Sequence, residues 1–225
     1  MKNLYISPVG SYGKPYLEKI IKKFGNEDFD YLIFVYDDTE FKEEVFNKVR
    51  FIRVPGKLRW EYMNEYATKE IVRDYDYIFC WADDIDVSEF DYKKFIEIMK
   101  RNDLNMAQPA LRTDVGYPSH EVCRLDPNRK VGRLTDYAEV MVPVLTKDSF
   151  LQWRTLFQDW NGWGWGYDVF AKSILGFRIG IIDCMPVIHT KPFKNPEKAK
   201  RDYRRFIDIH SKNKMAEKKT LGDLK

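Results

Sequence analysis

From Tyr77 to Trp81 the chain reads Tyr-Ile-Phe-Cys-Trp, and it then turns abruptly acidic at Asp83, Asp84 and Asp86. The run has no polar position in it, so it does not suit a strand with one wet face. It suits a strand covered on both sides, which requires helices above and below a sheet. The carboxylates fall just past the strand's C-terminal end, where open α/β sheets bind ligands. Carboxylates this close repel one another, and a fold keeps them together most readily around a cation. Oxygen ligands at this spacing suit Mg²⁺ or Mn²⁺. A solvated acidic turn ahead of the helix beginning at Asp91 has the same spacing, and from spacing alone the two readings stand level.

The segments on either side repeat the strand–helix pattern. Leu4–Val9 is expected as a first strand and 15–24 as a helix, with Pro15 in its first turn and Leu17, Ile20, Ile21 and Phe24 at helical spacing. Strands follow at 31–36, 49–54 and 75–81, with a helix over 60–72. Such alternation predicts a mostly parallel sheet. Beyond it the chain is less regular. A helix is expected over 91–101, a strand over 106–110, and a polar loop from Arg112 to Asp136. Then come a strand over 138–145, helices over 149–158 and 167–175, a strand from 178 towards His189, and an amphipathic helix over 197–210. The charged stretch 212–225 reads as a tail or linker after a domain of residues 1–211.

Composition narrows the function classes. The chain has 225 residues, 44% hydrophobic and 16% aromatic, enough to bury a large core. Its 38 basic and 35 acidic residues leave a net charge of +3, and the basic excess sits from Lys191 onward, so no stripe suited to nucleic acid runs along the body. Cys80, Cys123 and Cys184 are too few and too far apart for a disulfide framework or a zinc cluster. Neither a signal core nor a stretch long enough to span a membrane is visible, and a soluble, cytoplasmic protein is expected.

Two further patterns carry chemistry. Asn161-Gly162-Trp163-Gly164-Trp165-Gly166-Tyr167-Asp168 alternates glycine with tryptophan, which suits neither a helix nor an ordinary strand. The glycines allow close backbone approach, and Trp163 and Trp165 offer faces for a sugar or a base. Asp168 sits where this loop turns into a helix, as a cap or as a general base. His189 ends the last strand, either simply packed or as a nitrogen ligand beside the aspartates. Arg124, Arg129 and Arg133 in the long loop are phosphate contacts or a solvated face.

An Asp-x-Asp-type motif after a buried strand, a Trp-Gly-x-Asp-type loop and a late His resemble the arrangement of glycosyltransferases of the GT-A fold, and the Gly-Trp loop is similar to that of the β-1,4-galactosyltransferases. The chain is more closely similar to the family known as domain of unknown function 707. The pieces that carry this are Tyr36-Asp37, Arg59-Trp60, Tyr75–Phe79 with Trp81, Gln108–Leu111, Glu139–Val144, Trp165–Asp168 and Val187–His189, in order. Glycosyltransferase domains of large algal viruses are a further resemblance. The family usually has an acidic residue where Ala82 stands, which leaves open whether Asp83-Asp84 or Asp84-Asp86 is the working pair.

The resemblance implies an α/β, Rossmann-like GT-A fold with a mixed, mostly parallel central sheet flanked by helices. It implies that Asp84, Asp86 and His189 hold Mn²⁺ or Mg²⁺, with Asp86 the direct ligand. Ser7, Pro8, Val9, Gly10, Tyr36, Asp37 and Arg59 would line the donor pocket with Trp163 and Trp165, and Asp168 would deprotonate the acceptor in an inverting transfer. The donor would be a nucleotide-sugar, favouring UDP, and the acceptor a glycan or glycoprotein. A metal-dependent phosphatase or phosphotransferase, and a carbohydrate-binding module without catalysis, are the alternatives. Leu4–Val9 lacks the carboxylate the first would need, and the second does not need clustered aspartates.

Overall fold

The computed structural model describes residues 1–117, 120–192 and 196–225. Its first half follows the expected alternation: β1 (Asn3–Val9), α1 (Lys14–Phe24), β2 (Phe29–Val35) and β3 (Val49–Arg53). Helix α1 buries Leu17, Ile20, Ile21 and Phe24, the stripe its spacing predicts. The single helix expected over 60–72 is two, α2 (Arg59–Tyr66) and α3 (Lys69–Val72), because Ala67 leaves helical geometry at ψ 57° and Thr68 is extended. Then come β4 (Tyr77–Cys80), a short β5 (Ile85–Asp86) and α4 (Tyr92–Arg101), which Asp91 caps by accepting from the Lys93 and Lys94 amides.

The remaining elements are β6 (Met106–Leu111), β7 (Gly132–Thr135), β8 (Val144–Thr146), α5 (Lys147–Trp153), α6 (Ala171–Leu175), β9 (Ile179–His189), α7 (Glu197–Ile209) and β10 (Thr220–Asp223). The sheet runs β10-β7-β9-β6-β8-β4-β1-β2-β3, with β5 paired to β9 off that path. Pairing is parallel among β3, β2, β1 and β4 and between β6 and β9, and antiparallel around β7 and β8. Along the path only β7 and β8 oppose the common direction, so the sheet is mixed and mostly parallel. The chain leaves β1 towards β3 and returns to β4 on the other side of β1. That reversal opens a crevice beyond the strand ends, where such sheets bind ligands.

Three expectations for the second half change. The loop over 112–136 contains β7, whose Arg133 is buried and donates through Nη1 to both oxygens of Asp183, at 2.6 and 2.8 Å. Its Nη2 also donates to the Val122 carbonyl at 2.8 Å, so this arginine is neither solvated nor a phosphate contact. Arg129 pairs with Asp126 and Asp223. The strand expected over 138–145 is regular only from Val144, although 137–145 is buried throughout.

The stretch 212–225 is no free tail: β10 pairs antiparallel with β7, and Leu224 is buried. The Asp136 carboxylate holds its approach, accepting from the Glu217 amide at 2.7 Å and the Lys219 amide at 2.9 Å. These bonds come from residues far apart in sequence, so a polar composition hides them.

Two aromatic clusters stand out within the core. Phe24, Phe29, Phe79, Trp81 and Phe90 pack between the sheet and helices α1 and α4. Trp60, Trp153, Phe157 and Tyr167 pack under the Gly-Trp loop, with Trp60 and Trp153 centred 5.0 Å apart.

Candidate active site

A cavity of about 420 Å³ opens past the ends of β1, β2 and β4. Asp83, Asp84 and His189 line it together with Trp163 and Trp165, and Pro8 and Tyr36 come from the strand ends. The sequence-predicted residues it brings together are therefore Pro8, Tyr36, Arg59, Asp84, Trp163, Trp165 and His189.

The acidic pair sits in a bend between β4 and β5. Asp83 Oδ2 accepts from the Tyr36 hydroxyl at 2.7 Å. Burial raises the Asp83 carboxyl, with the Asp84 charge adding to it, although the Tyr36 bond pulls the other way. Asp84 Oδ2 lies 3.2 Å from His189 Nε2, while its Oδ1 is buried without a hydrogen-bond partner among the described residues.

His189 is set by the register of β5 on β9, which puts it opposite Ile85. Its Nδ1 is 2.8 Å from the Tyr117 carbonyl, which can only accept, so Nδ1 carries the hydrogen and Nε2 faces Asp84. Burial lowers the imidazole, but the Asp84 hydrogen bond and charge more than offset it and the net shift is upward. The Thr190 amide and hydroxyl both donate to the Asp84 carbonyl at 2.9 Å and fasten the two segments together.

Asp86 does not join this group. Its Oδ2 accepts from Lys19 Nζ at 2.8 Å, and its Oδ1 accepts from the Ser88 amide at 2.9 Å and from the Ser88 hydroxyl. In a regular strand Asp84 and Asp86 would share a face. The bend at Asp83-Asp84 breaks that period, so the pair on the cavity is Asp83-Asp84, and the expected set of Asp84, Asp86 and His189 is split. Among the described residues no group of three or more His, Cys, Asp or Glu side chains is arranged to hold a metal.

Other expected residues also stand back from the cavity. Ser7 is fully buried in β1, its hydroxyl donating to the Pro8 carbonyl at 3.1 Å, and Val9 is buried in the core. Asp37 accepts from the Ser11 amide at 2.8 Å and the Thr39 amide at 3.0 Å, shaping the loop beside Tyr36. Gly10 lies against that pair, where a Cβ would come within 2.5 Å of the Asp37 carboxylate and of the Tyr36 ring. Arg59 reaches the cavity, yet its Nη2 donates to the carbonyls of Cys80, at 2.5 Å, and Val140. It ties the end of β4 to the segment that carries Glu139.

The Gly-Trp loop is fastened from within. Asn161 is buried, donates through Nδ2 to the Trp165 carbonyl at 3.0 Å, and accepts at Oδ1 from the Gly164 amide at 3.1 Å. Gly164 has φ +72°, and a Cβ there would lie 2.1 Å from the Trp60 ring, so only glycine lets Trp163 and Trp165 flank the cavity from this turn. Asp168, just beyond, is buried and does not line the cavity. It accepts from the Tyr137 hydroxyl at 2.9 Å and from the Val169 amide at 2.9 Å, and burial raises its carboxyl against both bonds.

Sequence reasoning passed over Lys57, Glu139 and Lys191, all on the cavity wall. Glu139 was hidden in an apolar run read as a strand. Lys191 stands two residues past His189, and its Nζ sits 3.7 Å above the Tyr12 ring.

The profile of the family described as "Protein of unknown function (DUF707)" matches residues 1–221. This chain belongs to the DUF707 family. No curated protein matches it. Among solved structures, this DUF707 chain superposes on S. aureus TarS 1–349 in complex with UDP-GlcNAc with a TM-score of 0.61 and 11% identity, over 93% of this chain and 65% of that one. The same TarS segment in complex with UDP gives 0.60 at 11% identity over 93% and 65%. A longer TarS chain gives 0.59 at 11% identity over 92% of this chain and 39% of its own. This DUF707 chain thus spans just under two thirds of the shorter TarS chain, and at this identity the likeness is one of fold. The fold is GT-A. No helix among the described residues is long and apolar enough to cross a membrane.

Proposed function

We propose that this chain is a glycosyltransferase that moves a sugar from a UDP-linked donor to a hydroxyl of a glycan or glycoprotein, with inversion and with the help of Mn²⁺ or Mg²⁺. The observation that carries the reading is the cavity at the sheet's reversal, lined by a buried Asp84–His189 pair and two tryptophans. Asp84 and His189 fit a divalent cation held through few protein ligands. Asp84 Oδ1 is buried and unpartnered, and His189 is oriented through its other nitrogen by a carbonyl, as metal-bound imidazoles are. Mg²⁺ and Mn²⁺ sites of this kind take their remaining oxygens from substrate phosphates and water. A cation bound there would neutralise the charge that develops on the departing nucleoside diphosphate.

The chain's own residues do the rest. Pro8 and Tyr36 flank the nucleoside side, Trp163 and Trp165 offer an apolar wall to the sugar, and Lys191 adds a positive charge at the rim. TarS, whose structures hold UDP and UDP-GlcNAc, has the same fold, which supports a UDP-linked donor. Asp86 has no place on this cavity, so the metal roles fall to Asp84 and His189.

The test is a calorimetric titration of UDP, UDP-glucose and GDP-mannose into the protein, with Mn²⁺ and again with EDTA. UDP-class binding that needs Mn²⁺ is the expected result. No nucleotide binding under either condition would sink the transferase reading and favour a carbohydrate-binding module.

A further inference from the structure

We propose that Glu139, on the cavity wall, is the base that takes the acceptor's proton, and that Asp168 acts behind it as a positioning residue through Tyr137. The proposal deepens the transferase reading and rests on it.

Both carboxylates are buried, but they stand in different places. Glu139 lines the cavity together with Asp84, His189, Trp163 and Trp165. Asp168 does not line it, and both of its oxygens already accept hydrogen bonds, from the Tyr137 hydroxyl and the Val169 amide at 2.9 Å each. A base must come within hydrogen-bond reach of the proton it abstracts. Glu139 meets that condition for an acceptor entering the cavity, whereas Asp168 stands off the cavity with its Oδ2 held by the Tyr137 hydroxyl.

The segment 137–140 is built to hold Glu139 still. Gln108, fully buried, accepts from the Glu139 amide through Oε1 at 2.5 Å. Arg59 donates to the carbonyl of the next residue, Val140. Two residues earlier, Tyr137 is pinned through its hydroxyl to Asp168 and through its amide to Thr135 Oγ1 at 3.2 Å. A short irregular stretch fastened at Tyr137, Glu139 and Val140 by side chains is the support that a reacting carboxylate needs to keep its geometry. Asp168 supplies one of those fastenings, and this accounts for an aspartate at the end of the Gly-Trp loop that does not reach the cavity.

In the transfer, the acceptor oxygen forms a bond to the anomeric carbon as the bond from that carbon to the diphosphate oxygen breaks. The diphosphate leaves with the bonding electron pair. The acceptor's hydroxyl proton passes to the Glu139 carboxylate and then to solvent. Water in place of the acceptor balances the same way and yields free sugar and nucleoside diphosphate.

The experiment measures Mn²⁺-dependent UDP release from UDP-glucose and UDP-N-acetylglucosamine, alongside calorimetric binding of UDP, in the native chain and in Glu139→Gln, Asp168→Asn, Tyr137→Phe and Asp168→Asn/Tyr137→Phe. Removing a general base costs about 10²–10⁴-fold in rate. Glu139→Gln is expected to bind UDP as the native chain does and to lose turnover by that factor, with formate partly restoring it in Glu139→Ala.

Asp168→Asn and Tyr137→Phe are expected to lose turnover by similar, smaller factors. Their double variant should do no worse than either, because they share one hydrogen bond. Turnover within about tenfold of native in Glu139→Gln, or loss in Asp168→Asn as deep as a missing base gives and independent of Tyr137, would overturn the assignment. If the native chain binds no UDP-linked donor, the transferase reading itself falls and the assignment falls with it.

Discussion

The half of the sheet built from β1 to β4 and the half built from β6 to β10 reach the cavity by different routes. In the first half each strand pairs in parallel with its neighbour, so the strand ends arrive at the crevice in an order that topology alone dictates. Pro8, Tyr36, Asp83 and Asp84 stand at those ends. In the second half β7 and β8 run against the others, and apart from His189 at the end of β9 the residues that face the cavity sit in irregular stretches. Gln108 and Arg59, from distant segments, hold the stretch around Glu139, and Asn161 holds Trp163 and Trp165 from within their own loop.

The contrast teaches that the first half presents its cavity residues through backbone regularity and the second through specific polar contacts. Substitutions should therefore separate the two. The largest effect is expected on the second half. Arg133→Ala leaves Asp183 as a buried, unpaired charge and should cost about 3–5 kcal/mol in urea or guanidinium denaturation. A loss below 1 kcal/mol would mean that this half does not depend on its polar fastenings.

Next in size is the first half, at Asp84. Asp84→Ala should weaken Mn²⁺-dependent UDP binding by about 100-fold, about 2.8 kcal/mol, with the denaturation midpoint little changed. Equal Mn²⁺-supported binding in native and variant would move the metal elsewhere.

Ending the chain at Lys214 removes β10, the buried Leu224 and both amides held by Asp136. A loss of about 2–4 kcal/mol is expected by thermal or chemical denaturation. A truncated chain as stable as the full one would return this stretch to the status of a tail.

Asp86→Asn should cost less than about 1 kcal/mol, since its partner Lys19 is exposed, and should leave UDP binding unchanged. Nucleotide binding that collapses in this variant would restore Asp86 as a metal ligand.

The smallest effect concerns pH. Burial, with the Lys218 ammonium 3.2 Å from Nε2, pushes His120 down to about 4. The fold thus favours neutral His120, and that contribution is complete above the ordinary histidine value of about 6.5 and is lost as pH falls towards 4. The urea midpoint should drop between pH 7 and pH 5, and drop less in His120→Gln. An identical drop in both would remove His120 as a contributor.

Local pattern made the first half legible. Helix α1 shows its buried stripe in the spacing of Leu17, Ile20, Ile21 and Phe24, and β4 shows its two covered faces in an unbroken apolar run. The same run led the eye to Asp83 and Asp84. Asp86 was expected as a metal ligand from the resemblance to an Asp-x-Asp motif, and the bend ahead of β5, with the pairing of β5 on β9, leaves it bonded to Lys19 and Ser88 instead. Glu139 was overlooked for the opposite reason: its neighbours are apolar because the segment is buried, and no local pattern separates a buried irregular stretch from a strand.

By itself the sequence determined the α/β alternation, the covered central strands, the turn chemistry of the Gly-Trp loop and the aspartates at the end of β4. These depend on periods of a few residues and on single-residue backbone preferences, which a chain carries wherever it is placed. Only the tertiary structure decided which carboxylates face the cavity. Asp37, Asp86 and Asp168 are bonded to amides, hydroxyls and an ammonium away from the cavity, while Asp83, Asp84 and Glu139 line it. A carboxylate's role depends on what reaches it through space, and those partners lie from one residue to more than a hundred positions away along the chain.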